Sequence, residues 1–167
     1  MYDSLTAKLK ELLEGIDAPP APEPGDPEPT PPVYENTVAE VVDDVIPAES
    51  IGKPGIFMAA PLVDYTDRAS MMAEAGDRIN LYLIIDSTPT GRPQQDLRSL
   101  ERDVIKCLTA AGPGLGLAGL TLFKVLRGAN ADDVFPAGDQ PAGFRLPYAC
   151  RRLECQAVYQ FAKADGG

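Results

Sequence analysis

Between Ala18 and Pro32 the chain reads APPAPEPGDPEPTPP, with eight prolines and three acids. Proline has no amide donor and a fixed φ, so neither a helix nor an internal strand can run through this stretch. It also holds too little apolar surface to pack against a core. The expectation is an extended, solvated linker or loop, partly polyproline II in character. A spacer is favoured over a ligand for a proline-recognition module, because no arginines flank it. Whatever folds must therefore be built from the residues on either side.

Charge divides at nearly the same place. Residues 1–49 hold 12 acidic and 2 basic side chains, a net −10, whereas residues 50–167 hold 13 of each. A nucleic-acid binder is expected to show surplus Lys and Arg on some element, and none is evident. No run of about 18 apolar residues occurs, so no membrane span is expected. The start, MYDSLTAKLKELLEG, carries charges throughout and does not read as a signal peptide. Three cysteines at uneven spacing suit free thiols in a reducing compartment. The expected organisation is an amphipathic helix at 1–17 belonging to the main domain and the acidic linker at 18–32. A single α+β domain follows at 33–163, then a flexible tail at 164–167.

Leu5, Leu9, Leu12, Leu13 and Ile16 recur at helical spacing, with Asp3 or Ser4 able to cap the start and Gly15 able to help end it. Residues 37–46, TVAEVVDDVI, are ambiguous. Thr37 and Glu40 have capping-box spacing, and Val38, Val41, Val42 and Val45 fit a helix face. The same valines fit a strand. GIFMAAPLV at 55–63, bounded and broken by Pro54 and Pro61, reads as an edge or early strand. In RINLYLIID, Ile79, Leu81, Leu83 and Ile85 share one face, which makes a strand. Pro93 suits a first helical turn. Leu97, Leu100, Val104, Leu108 and Ala111 then line one side of a helix that Gly112 and Pro113 stop. LTLFKVLRG, 120–128, alternates again as a second strand. Residues 129–147 have no period and many breakers, longer than connections usually run. Phe135, Phe144 and Arg145 argue that this loop has a function, since disordered loops rarely carry two phenylalanines.

The closing stretch CRRLECQAVYQF, 150–161, invites a metal or redox reading. As a strand it places Arg151, Leu153, Cys155, Ala157, Tyr159 and Phe161 on one face and Arg152, Glu154, Gln156, Val158 and Gln160 on the other. Cys150 and Cys155 then face opposite ways, roughly 16 Å apart. A disulfide needs Cα atoms within about 7 Å. Zinc needs about four converging ligands, and the chain has no histidine. Cys155 is expected in the core and Cys150 at the strand entry. Lack of histidine also removes Ser-His-Asp and Cys-His arrangements. GLGLAG, 114–119, matches G-x-G-x-x-G, but a helix precedes it and a strand follows, the reverse of a dinucleotide site. Asp132 with Asp133, and Asp64 with Asp67, are the carboxylate pairs that could hold a divalent ion. Asp43 and Asp44 read as a solvated face. No cofactor, metal or catalytic residue is expected.

The order of elements carries a resemblance. A short amphipathic helix, the strand GIFMAAP, the strand INLYLIID, the helix DLRSLERDVIKCLTAA, the strand LTLFKVLRG, a long loop and the final strand RLPYACRRLECQAVYQF together resemble bacteriophage tail terminator (tail-completion) proteins. The similarity covers most of residues 50–161 and the first helix. The proline-rich insert departs from it, and at 33–50 the resemblance favours a strand. It implies an α+β fold, a mixed or antiparallel sheet with helices packed mainly on one face. It also implies a structural virion protein of the tail and neck, assembled in the host cytoplasm, not an enzyme. Copies would form a ring, usually a hexamer, on the head-proximal end of the tail tube. The ring would end tube polymerisation and offer a docking surface to the neck. Implied partners are the protein itself, the tail tube protein, a neck or head-completion protein and, in a contractile tail, the sheath. Candidate interface residues are Phe135, Phe144, Arg145, Arg127, Asp132 and Asp133. Truncating Phe144 or Arg145 to Ala is expected to spare folding and abolish attachment. Two other classes remain open. One is a small-molecule-binding regulatory domain, using the 112–119 glycines and the 129–147 loop as one pocket. The other is an enzyme built from Asp, Arg and Tyr.

Overall fold

The alternation over Ile79–Ile85 marks the second half of a strand that is longer than its apolar residues indicate. The computed structural model describes residues 2–67 and 72–162. Residues 163–167, including the expected tail, lie outside the described residues. The elements run α1 (Tyr2–Glu14), β1 (Glu40–Val42), β2 (Gly55–Asp67), β3 (Met72–Asp86), α2 (Pro93–Ala110), β4 (Leu120–Asn130), β5 (Phe144–Arg145) and β6 (Tyr148–Ala162). One mixed sheet holds them in the order β1-β2-β3-β6-β4, with β5 also on β6. β1 and β2 are parallel, and every other pair is antiparallel. This is an α+β fold. No described helix is long and apolar enough to cross a membrane.

Both helices lie on one face of the sheet. Ile79, Leu81, Leu83 and Ile85 of β3 and Leu153, Cys155, Ala157 and Tyr159 of β6 form a single core with Leu5, Leu9 and Leu13 of α1 and Leu97, Leu100 and Val104 of α2. A smaller cluster sits on the opposite face. Ala48, Ile51, Ala131 and Phe135 there cover Phe57, Tyr82, Ile84 and Cys150. Period-two alternation assigns every one of these strand residues to its side.

Several local expectations are corrected. α1 begins at Tyr2, so Ser4 lies inside the helix and does not cap it. Residues 37–46, open between helix and strand, contain a strand of three residues, the alternative that the valines allow and the resemblance favours. The capping box does not form because both of its members are engaged elsewhere. Thr37 Oγ accepts the Ala18 amide at 3.1 Å and donates to Asp17 at 2.9 Å, while Glu40 accepts the Gly52 amide at 2.7 Å. β2 continues to Asp67 and is flanked on both sides at Gly55–Phe57, so it starts inside the sheet. Pro61 falls in a register irregularity between Ala59 and Leu62, where a missing amide donor does least harm. The side chains of Asp64 and Asp67 lie outside the described ones. The GLGLAG stretch joins α2 to β4, with Leu115 buried.

The long loop is shorter than expected and tightly held. β4 leaves β6 after Asn130, and β5 resumes along the same side of β6 at Phe144. Only residues 131–143 depart from the sheet, and main-chain bonds close their base. The Ala131 amide donates to Cys150 O at 3.0 Å, Cys150 to Gly143 O at 2.8 Å and Gly143 to Phe135 O at 2.8 Å. Gly143 has φ +86, and a Cβ there would fall 2.8 Å from Asn130 Cβ and 2.9 Å from Cys150 O. Only glycine fits.

A buried carboxylate ties the N-terminal part to this frame. Asp103 of α2 has no exposed surface. Its Oδ2 accepts the Glu35 amide at 2.9 Å and both the amide and the side-chain Nδ2 of Asn36 at 2.8 Å. Lys106 Nζ stands 3.5 Å from Oδ1. Ser99 bridges Asn36 and Glu35, and Lys106 donates to Val33 O. Replacing Asp103 by Ala orphans three donors. The expected cost is about 2–4 kcal/mol, read as a lowered urea midpoint by circular dichroism. Asp103→Asn, which keeps one acceptor oxygen, should cost less.

Candidate interface on the sheet face opposite the helices

Two registered rows of side chains define this face. In one, Phe57 lies beside Tyr82, Tyr82 beside Arg152 and Arg152 beside Ala129. In the other, Ala59, Asn80, Glu154 and Arg127 follow one another across four strands. The strands place these residues because even positions of β6 point away from the helices. Phe57 and Tyr82 stack with ring centroids 4.5 Å apart and planes 3° apart.

The charges interlock. Arg127 forms a two-pronged bond to Glu154, Nε to Oε2 at 2.7 Å and Nη2 to Oε1 at 2.8 Å. Such a fork fixes direction as well as charge. The bond from Arg127 holds the Glu154 carboxyl below its usual range and raises the Arg127 guanidinium. Arg152 stands 3.7 Å from Glu154 Oε1 and 3.3 Å from Asp133 Oδ1, with Asp132 at 3.8 Å. Tyr82 donates to Asp133 Oδ2 at 2.5 Å. Burial, then that bond, raises the Tyr82 phenol. Asp132 and Asp133 are therefore occupied by an arginine, and among the described residues no three metal-ligating side chains converge. Arg145, further along, pairs with Glu49 at 2.8 Å and lies over the Phe135 ring, 5.2 Å from its centroid. An open cavity of about 500 Å³ lies between these groups, lined by Val45, Glu49, Phe57, Tyr82, Asp133 and Arg145 among others.

Four of the six residues singled out by the sequence thus meet on one face: Arg127, Asp132, Asp133 and Arg145. The two phenylalanines do not. Phe135 is 2% exposed beneath Arg145, and Phe144 is 8% exposed in the helix-side core. Their aromatic surface anchors the excursion from within. Phe144→Ala would open the core at about 3 kcal/mol or more, so the expectation of normal folding does not extend to it. Sequence reasoning missed Tyr82 and Glu49, and left Arg152 among the late arginines able to form a charged patch without placing it against Asp133. The signal for Arg152 was its place on the wet face of β6, between two carboxylate-bearing segments.

The regulatory-pocket alternative needed the 112–119 glycines and the long loop to share one cavity. β4 runs between them, so its ends hold them about 30 Å apart. Each lines a separate hollow. One of about 370 Å³ lies between Gly112, Pro113 and β4, and one of about 410 Å³ lies beside Gln140, Pro141 and Phe144.

The three thiols are free and buried. Burial pushes Cys150 and Cys155 up to about 12 and raises Cys107. Cys150 belongs to the cluster beneath the charged face and Cys155 to the helix-side core, the opposite placement expected of them. Comparison of the chain with protein-family models and with curated proteins gives no match.

An unfolded thiol ionises near its ordinary value of 9.0, whereas these hold their protons to about 12. The folded state therefore binds protons more tightly in that window. Their contribution is complete below about pH 9 and is lost as pH rises toward 12. Melting temperature should hold steady to about pH 9 and then fall. A Cys150→Ala, Cys155→Ala double variant should fall less steeply, and native-state alkylation at pH 8 should be slow for both thiols.

Proposed function

We propose that this protein is a structural assembly component of the tail terminator kind. Copies form a ring on the head-proximal end of a phage tail tube, end tube polymerisation and present a docking surface to the neck. The observation that carries this reading is the interlocked charged face. Its charges are matched in pairs and braced by three strands and a pinned excursion. Arg127, Asp132 and Arg145 remain 69%, 67% and 63% exposed at their side chains. Such a surface binds by shape and by exchange of ion partners, and needs no reactive group. Buried, protonated thiols agree with that, because the thiolate is the reactive form.

The element order supports the same reading. So does the α+β frame, with both helices on one face, which leaves the charged band of the other face open to contact. Ring neighbours meet head to tail and require two different surfaces per copy.

Arg145→Ala removes an exposed ion pair, so stability should change by about 1 kcal/mol or less. Capping of purified tail tubes, scored as rings on tube ends in negative-stain images, should be lost. Wild-type protein that leaves tube ends bare and tube growth unchecked would end the terminator reading. Capping by the variant at wild-type level would remove Arg145 from the contact.

A further inference from the structure

Two features of the chain are left without a partner in the folded body, and they match each other. The first is the proline-rich segment. Every residue from Pro19 to Val33 is exposed, so none of the segment is buried in its own molecule. It is nonetheless an arm of fixed root. Ala18 bonds to Thr37, Val33 O accepts Lys106, and Glu35 and Asn36 hang on Asp103. Midway it reverses in a turn closed by Asp26 with Glu23, with Gly25 at φ +96. Each limb is about eight residues, which gives a reach of about 25 Å in polyproline II form. The arm carries Glu23, Asp26 and Glu28 and no basic residue.

The second feature is the hollow of about 410 Å³ beside the start of α2. Its apolar lining comes from Pro93, Pro141, Phe144 and Leu146, and Leu146 is 52% exposed. Arg92 stands at its rim, and Gln94 and Gln95 add side-chain donors. The first turn of α2 lacks a side-chain cap and carries Asp96, so the positive charge beside the hollow is that of Arg92. Proline rings fit an apolar floor of this kind, and the acids of the arm have Arg92 to meet.

We propose that the proline-rich arm of one copy lies in this groove of the next copy. The inference deepens the ring reading, from which its head-to-tail sense derives. Arm and groove are different surfaces, so the contact is heterologous and propagates until it closes on itself. A single arm in a single groove is weak, and closure of the circle supplies the missing affinity.

The probe is a fluorescein-labelled peptide of residues 18–33, titrated by anisotropy onto a full-length chain whose residues 18–32 are replaced by a Gly/Ser stretch of equal length. Saturable binding is expected. It should weaken roughly tenfold or more with Leu146→Asp, with Arg92→Glu, or with a peptide carrying Gln at 23, 26 and 28. Leu146 and Arg92 are exposed, and circular dichroism melts check that both variants fold. Wild-type chain should self-associate in sedimentation velocity at concentrations where the Gly/Ser chain does not. Absence of saturable binding, or binding indifferent to both groove variants, overturns the proposal. So does a wild-type chain that stays monomeric and refuses peptide which the Gly/Ser chain accepts, because the arm then occupies its own groove. The two readings fail separately. Peptide binding without tube capping retires the terminator reading and keeps the contact. Tube capping by the Gly/Ser chain at wild-type level does the reverse.

Discussion

The Asp103 carboxylate is the constraint on which the N-terminal third depends. One oxygen of a fully buried side chain gathers three donors from Glu35 and Asn36. Those residues follow the proline-rich segment directly, so a single acceptor fixes where the chain re-enters the body. From there Val38 bonds back to Ile16 O, and β1 docks on β2. Without that acceptor, α1 would keep its apolar stripe and the Cys107 Sγ bond to Leu12 O, but the return of the chain at Glu35 and Asn36 would lose its anchor. A buried carboxylate is costly unless it is hydrogen-bonded or paired, so the three donors on Oδ2 and Lys106 beside Oδ1 select a single path.

The sheet treats its two faces differently, and the functional reading rests on the difference. One face is closed under α1 and α2. On the other, residues 43–51 and 131–135 cover only the end near Cys150, and a charged band remains open beyond them. The excursion at 131–143 belongs to both regions. Phe135 faces inward as an anchor, while Asp132 and Asp133 face Arg152. Rigid display of charge is the outcome, with Tyr82 and Arg152 held by neighbours on three strands.

Much of this frame is legible in the sequence because it follows from period. Ile79–Ile85 and Leu153–Tyr159 alternate cleanly, and Leu97–Leu108 repeats at helical spacing. Both face assignments and the separation of Cys150 from Cys155 follow from that. β1 is legible only as one of two alternatives, since its valines suit a strand and a helix alike and three residues define no period to choose between them. The strand ends at Met72–Asp77 and Ala129–Asn130 were hidden because pairing with β6 decides them, whatever their own apolar pattern. The aromatic residues of the loop were read as contact surface because proximity to the core is a tertiary fact. Asp103 had a signal. It lies three residues after Leu100 and four before Cys107, on the apolar side of α2, where a carboxylate must find donors. The charged candidates met as a group because alternation already placed Arg152 and Glu154 together and the excursion folds back on them.

The proline-rich segment begins and ends at one spot, with Asp17 and Thr37 in direct contact. Its two anchors are indifferent to what lies between them. Closing a flexible loop of double the length costs only about 0.6 kcal/mol more. The body can therefore accept spans of very different extent without refolding. Evolution is free to tune how far the chain reaches from its own surface while the scaffold stays unchanged.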